Sequence, residues 1–294
     1  MAIIPPFFME AVIALGVEIP GQGRKHWVGT GFLVGRKELE QPDSVTVYVI
    51  TNKHVVKDQK QLYVRFNNNG TPGVKDLPMS LVDENNEKKF SEHPGINTDI
   101  VAIQVNPQII LDYDSNLQFF DLEDHALMLH QMKETGVDEG SLVYALGFPM
   151  NLMNDSVKAP ICRLGCIARV ADAFVSPQTS EMFFVDAQTF PGNSGGPIVS
   201  RPEHVSINGT PKNTNANLIG ILSAYIPYRE TLYSRQTGRD RMVQEENSGL
   251  TIVHPVDRIK EVVELEWLRV AQKRAESQQL PSPTPQETME EVPV

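Results

Sequence analysis

Apolar residues along the chain fall mostly in short runs of strand length, separated by clusters of Gly, Pro, Asn and Asp. The pattern predicts strands over 11–19, 29–34, 45–51, 61–66, 100–105, 141–147, 161–170, 182–187, 197–199, 218–224 and 250–253. Nothing alternates strand with helix as a parallel sheet requires. The fold class this implies is all-β, a barrel or sandwich.

Two stretches depart from the pattern. Residues 116–136 are mixed, with Ala126, Leu127, Leu129 and Met132 near helical spacing, where a connection between two lobes would lie. Residues 256–276 form the clearest helix. Val256, Ile259, Val262, Val263 and Trp267 make an apolar stripe, and Pro255 precedes the first turn. That helix is expected to pack against the last barrel. Residues 277–294 are rich in Pro, Gln and Glu and are expected to be a disordered tail.

Composition narrows the function classes. The chain has 294 residues, 40% of them hydrophobic, enough for an ordinary core. A net charge of -11 argues against nucleic acid and against anionic lipid as partners. The apolar N-terminus lacks a basic leader and is broken by Pro5, Pro6 and Glu10, so no signal peptide is expected. No run reaches the roughly 20 apolar residues of a membrane span. Cys162 and Cys166 would stand roughly 13 Å apart along a strand, beyond the roughly 7 Å a disulfide spans. Both are expected to be free, buried thiols, and two ligands alone do not make a zinc site. A cytoplasmic location and no metal or cofactor are the expectations.

Three segments carry chemistry. In Phe190-Pro191-Gly192-Asn193-Ser194-Gly195-Gly196-Pro197, glycines surround one serine between two apolar strands. A nucleophilic serine needs a tight, exposed turn whose N–H groups face a developing oxyanion. In Thr51-Asn52-Lys53-His54-Val55-Val56 a histidine follows a strand end, where a general base sits rigidly. The other histidines, His26, His93, His125, His130, His204 and His254, lack such surroundings. In Thr98-Asp99-Ile100-Val101 an aspartate stands at a strand mouth, where a histidine Nδ1–H would keep it charged. Each segment alone also has a plain reading: a Gly-rich turn, a satisfied polar histidine, a turn-forming aspartate. Together they offer nucleophile, base and acid.

These segments resemble the trypsin-like serine peptidases, especially the HtrA-type branch of the chymotrypsin fold. Gly29-Thr30-Gly31-Phe32 is similar to the strand before that branch's histidine, and Thr51-Asn52-Lys53-His54-Val55-Val56 to its Thr-Asn-x-His-Val-Val. Thr98-Asp99-Ile100-Val101 is similar to its acid motif, and Gly192-Asn193-Ser194-Gly195-Gly196-Pro197 to its serine motif. Residues 143–149, 218–221 and 247–252 resemble the strands of its second barrel. The likeness runs from about residue 11 to about residue 265.

The resemblance implies two six-stranded antiparallel β-barrels with the site between them: residues 1–120 with His54 and Asp99, and residues 121–255 with Ser194. It implies a serine endopeptidase acting on a protein or peptide substrate through an acyl-enzyme. Ser194 would be the nucleophile, His54 the base and Asp99 its orienting acid. The N–H groups of Gly192 and Ser194 would form the oxyanion hole. Substrate would add as a strand along Ser223, Ala224 and Tyr225, with Gln188, Phe190, Ala224 and Leu250 near the primary pocket. None of these is an acid, so a small or medium apolar side chain is expected before the scissile bond.

Two departures from the family change the expectations. Asn193 replaces the Asp that pairs with a new N-terminal ammonium in digestive relatives, so activation by zymogen cleavage is not expected. No PDZ domain follows within the sequence, so control by an appended peptide-binding domain is not expected either. Residues 226–248, with Arg229, Arg235, Arg239 and Arg241 among acids, read as a long loop that shapes the pocket or senses a regulatory protein partner. The competing functional reading is a protease-like fold held inactive, or used as a regulated binding module, until a partner orders the oxyanion loop.

Overall fold

The computed structural model describes residues 4–38, 44–203 and 211–279. The one-turn helix α1 (Pro6–Ala11) leads into β1 (Val12–Ile19), β2 (Arg24–Lys37) and β3 (Val45–Thr51), followed by the short helix α2 (Lys53–Val56). Then come β4 (Gln61–Asn67), β5 (Val74–Ser80), β6 (Ser91–Glu92), β7 (Val101–Val105), helix α3 (Pro107–Asp112) and β8 (Phe120–Asp121). These strands form one sheet in the order β5-β4-β1-β2-β3-β7-β6, with β8 parallel to β2.

Helix α4 (Leu129–Thr135) starts the second half. It is followed by β9 (Leu142–Gly147), β10 (Ile161–Arg169), helix α5 (Ala171–Val175), β11 (Phe183–Asp186), β12 (Pro197–Ser200), β13 (Leu218–Tyr233) and β14 (Asp240–Pro255). These six strands close into a barrel, β10-β11-β14-β13-β12-β9. Two closed six-stranded barrels were expected, and only the C-terminal one closes among the described residues. The N-terminal sheet has eight strands. Its path ends on β5 and on β6, which spans only two residues.

Each half has its own apolar interior. Leu33, Val49, Val64 and Ile103 belong to the first, and Val143, Ile167, Phe183 and Val253 to the second. A third cluster joins the halves. Ala14, Phe32 and Ile50 pack there with Leu146, Phe148, Val199 and Ile221, together with Val256, Ile259, Val262 and Val263 of α6 (Val256–Gln279). Helix α6 therefore packs on β6 and β7 as well as on β13 and β14, rather than on the last barrel alone. Fully burying each such side chain stabilises by about 1.5–3 kcal/mol. A charge at Ile259, which is 0% exposed, would break the seam between the halves.

Four other sequence expectations are corrected. Residues 226–248 are the outer part of a two-stranded ribbon: β13 and β14 pair from Pro227↔Asn247 to Tyr233↔Asp240. Both faces of that ribbon are solvated, so no apolar alternation marked it as strand. The two cysteines are free, but Cys162 is exposed and Cys166 only half-buried, because both lie on β10. Of Ala126, Leu127, Leu129 and Met132, only the last two lie on a helix, α4. The expected tail begins inside α6, which runs to Gln279, and the rest of it lies outside the described residues.

Candidate active site

Strand β3 ends at Thr51, and α2 starts two residues later. His54 thus stands at the strand mouth, with Val55 and Val56 buried behind it. Strand β7 pairs antiparallel with β3, Thr51 opposite Val101, so Asp99 enters the same mouth from the other side. His54 Nδ1 lies 2.5 Å from Asp99 Oδ2, and the His54 main-chain N–H donates to Asp99 Oδ1 at 3.2 Å. The Asn52 amide donates to the Asp99 carbonyl at 2.6 Å. Burial pushes the Asp99 carboxyl up. Hydrogen bonds from His54 and from the Ser223 hydroxyl more than offset this, and Asp99 ionises below its ordinary range.

Ser223 reaches Asp99 because β13 bulges there: Leu222 pairs with Val253 and Ala224 with Ile252, leaving Ser223 between registers. Its hydroxyl donates to Asp99 Oδ2 at 3.2 Å. Strand β12 pairs with β13 only over residues 218–221, which leaves the β12-facing edge of residues 223–225 open among the described residues. An extended peptide could add there.

Ser194 lies on the turn before β12, half-exposed, with Asn193 buried beside it. Its carbonyl accepts from the Thr30 N–H at 2.9 Å. A Cβ at Gly29 would meet Val55 Cγ1 at 2.8 Å and the Ser194 carbonyl at 3.5 Å, so the serine turn and the histidine helix flank Gly29. The Ser194 hydroxyl makes no side-chain hydrogen bond among the described residues, whereas the His54–Asp99 pair is closed.

The amide groups before Ser194 are oriented by three contacts. Gly192 has φ +97°, and a Cβ there would overlap the Phe148 carbonyl. The Pro191 carbonyl accepts from Met150 N–H at 2.7 Å, and the Gly192 carbonyl accepts from Thr30 Oγ1 at 2.6 Å. Because a trans peptide points its C=O and N–H oppositely, the first contact turns the Gly192 N–H away from Met150. Among the described residues neither the Gly192 nor the Ser194 N–H has an internal acceptor. The Asn193 side chain accepts from Phe190 N–H at 3.1 Å and so closes the turn on itself.

The remaining expected residues are placed as follows. Gln188 and Ala224 are exposed, Leu250 is 37% exposed, and Phe190 and Tyr225 are half-buried. Phe190 carries the Arg163 guanidinium over its ring, 5.0 Å from the centroid. Beneath them Thr189 and Thr251, both buried, share a hydroxyl hydrogen bond of 2.9 Å. A cleft of about 780 Å³ opens beside His54 and Asp99, bordered by Lys53, Lys57, Phe90 and Ile96.

Sequence reasoning did not assign roles to Thr30, Met150 or His254. Thr30 was legible as part of a motif, but its contacts were not. His254, set apart from the site on sequence, donates from Nδ1 to the Glu181 carbonyl at 2.6 Å and accepts the Asp99 N–H on Nε2 at 3.1 Å. No signal in the chain near Pro255 marked it. Among the described residues no cluster of His, Cys, Asp and Glu could hold a metal, and no helix is long and apolar enough to cross a membrane.

Comparison with solved structures finds similar chains throughout this fold. One is the serine endoprotease from Yersinia pestis, 18% identical over 90% of this chain and 67% of that one, with a TM-score of 0.46. Another is the MamO protease domain from Magnetospirillum magneticum in its apo form, 18% identical over 87% of this chain and 97% of that one, TM-score 0.45. A third is the HtrA-type protease AlgW with a tripeptide, 18% identical over 87% of this chain and 58% of that one, TM-score 0.45. No curated protein matches. The family model for the trypsin-like peptidase domain matches residues 29–205, more than half of the sequence and inclusive of His54, Asp99 and Ser194. The chain belongs to the trypsin-like peptidase family.

Proposed function

We propose that the protein is a serine endopeptidase with Ser194, His54 and Asp99 as its triad. Ser194 Oγ attacks the peptide carbonyl while His54 Nε2 takes the hydroxyl proton. Asp99 fixes the imidazole through Nδ1 and stabilises the imidazolium. The N–H groups of Gly192 and Ser194 receive the oxyanion. His54 then protonates the leaving amine, and water activated by the same imidazole hydrolyses the acyl-enzyme. The substrate main chain lies along Ser223–Tyr225. Gln188, Phe190, Ala224 and Leu250 border a primary pocket that takes a small or medium apolar side chain. In this reading residues 1–120 and 121–255 are the two lobes of the protease, and its activity needs no zymogen cleavage.

The observation that carries this reading is the closed 2.5 Å His54–Asp99 pair at a strand mouth, in a family whose matched span includes a glycine-flanked serine. A fluorophosphonate probe tests it. Labelling of the wild type and none of Ser194→Ala is expected, and labelling that survives Ser194→Ala sinks the triad. A second reading takes its support from the Ser194 hydroxyl, which is not bonded to His54: the enzyme idles until a partner completes the site. Catalytic hydrogen bonds are often loose without substrate, so prompt labelling of the isolated chain would decide against this second reading.

A further inference from the structure

The Asp99 main chain is held on both sides. Its carbonyl accepts from the Asn52 amide at 2.6 Å, and its N–H donates to His254 Nε2 at 3.1 Å. His254 is 1% exposed near the end of β14, opposite Ile221. Its other nitrogen donates to the Glu181 carbonyl at 2.6 Å, so both ring nitrogens are committed, one as acceptor and one as donor. Only the uncharged imidazole can fill both roles at once. The charged and titratable groups facing it are Asp99 ahead of β7, Glu181 ahead of β11, and His93 just after β6. His93 is in turn 2.7 Å from Glu261 of α6, which pairs with Arg258 at 2.9 Å. Burial depresses the protonation of His254, in keeping with the acceptor role of Nε2.

We propose that His254 is a positioning residue for catalysis, a second imidazole behind the triad that anchors the Asp99 main chain in its uncharged form. This rests on reading Asp99 as the triad acid. Were His254 protonated, its Nε2–H would confront the Asp99 N–H, two donors with no acceptor between them. The Asp99 backbone would shift, and the His54–Asp99 bond with it. A misplacement of about 1 Å at a reacting group can cost roughly 100-fold in rate.

The test compares fluorophosphonate labelling rates from pH 5 to 9 for wild type, His254→Phe and His254→Gln, with Ser194→Ala as control and thermal midpoints measured alongside. Phe keeps the ring volume but supplies no acceptor, while the Gln carbonyl can accept the Asp99 N–H. We expect His254→Phe to label about 100-fold more slowly on the plateau. His254→Gln should restore most of that rate. A folded Phe variant with the wild-type plateau overturns the proposal, as does a folded Gln variant as impaired as Phe. Nitrogen-15 NMR of the wild-type imidazoles decides without any variant: a protonated His254, or its Nε2–H tautomer, on the activity plateau also overturns it. Labelling of Ser194→Ala would instead remove the triad reading itself.

Discussion

Thr30 Oγ1 donates to the Gly192 carbonyl at 2.6 Å and accepts the Phe148 N–H at 3.0 Å. One fully buried hydroxyl from the N-terminal sheet thereby fixes two segments of the C-terminal barrel. Its own main chain also holds the Ser194 carbonyl and accepts from Thr51 Oγ1. The serine turn is thus shaped from the other half of the molecule.

Thr30→Val removes that hydroxyl at nearly constant volume. It leaves a buried carbonyl and a buried N–H unpaired, at about 1–3 kcal/mol each. With Gly192 no longer held, the loss of kcat/KM is expected to approach the roughly 100- to 1,000-fold of a lost oxyanion donor. Thr30→Ser keeps the hydroxyl and is expected to stay within a few-fold of wild type. Peptide-cleavage kinetics and thermal melts check this; a folded Val variant at the wild-type rate would refute it.

Ser223 offers a prediction about acid stability. Asp99 ionises below its unfolded value, so between the two values the unfolded chain binds more protons. The stabilisation is therefore full above the ordinary carboxylate range and disappears as pH falls through the folded value. Ser223→Ala deletes one hydrogen bond that lowers Asp99, raising the folded value toward the unfolded one. Acid unfolding followed by circular dichroism between pH 2 and 5 should then begin at higher pH than in wild type. An unmoved midpoint would show that the hydroxyl contributes nothing.

Much of this was readable in the chain. The interval 45–51 was predicted to the residue because β3 is a continuous apolar run, fully buried from Val47 to Thr51. The α6 stripe was readable because Val256, Ile259, Val262 and Val263 all face the seam. His54, Asp99 and Ser194 were singled out as each stands where a strand gives way to a loop. Strands β5 and β6 were not readable, one being interrupted by Pro78 with only Leu77 buried, the other only two residues long. The outer β13–β14 ribbon was missed because it buries neither face. His254 and Thr30 act through contacts with residues more than 100 positions away, and local patterning does not encode such partners.

Met150 connects backbone strain to the turn before Ser194, the proposed oxyanion hole. Met150 and Asn151 both have left-handed backbones, φ +54° and +56°, and Met150 N–H holds the Pro191 carbonyl. A non-glycine residue there costs about 1–2 kcal/mol. Met150→Gly relieves it and keeps the N–H, so activity should hold and stability should not fall. Met150→Val adds β-branching to a conformation that resists it, which should loosen the Pro191–Gly192 peptide and lower kcat by about 10-fold or more against the 100-fold of a full oxyanion loss. Equal kcat for the Val and Gly variants would show that the latch does not matter.

Lys158 gives the last prediction, at the joint between the N-terminus and the barrel. Its ammonium is buried and donates to the Glu10 carbonyl, at 2.5 Å, and to the Val12 carbonyl, at 2.8 Å, with the Glu10 carboxylate 3.3 Å away. The Asn67 amide brackets the same residue, accepting its N–H and donating to its carbonyl. Burial pushes Lys158 down to about 8, only partly opposed by Glu10. Its folded value lies below its unfolded one, so from about pH 8 to about 10.5 the native state sheds its proton first. The unfolded chain then binds more protons, and this site makes stability rise with pH, by on the order of 3 kcal/mol at most. Lys158→Met cannot titrate and strands two carbonyls, so it should be less stable than wild type at pH 7 by about 2–4 kcal/mol. The gap between the two proteins, measured by denaturant unfolding, should widen from pH 7 to pH 9.5. A gap that narrows would mean that the lysine is held charged in the fold, and that the carbonyl cage rather than burial sets its chemistry.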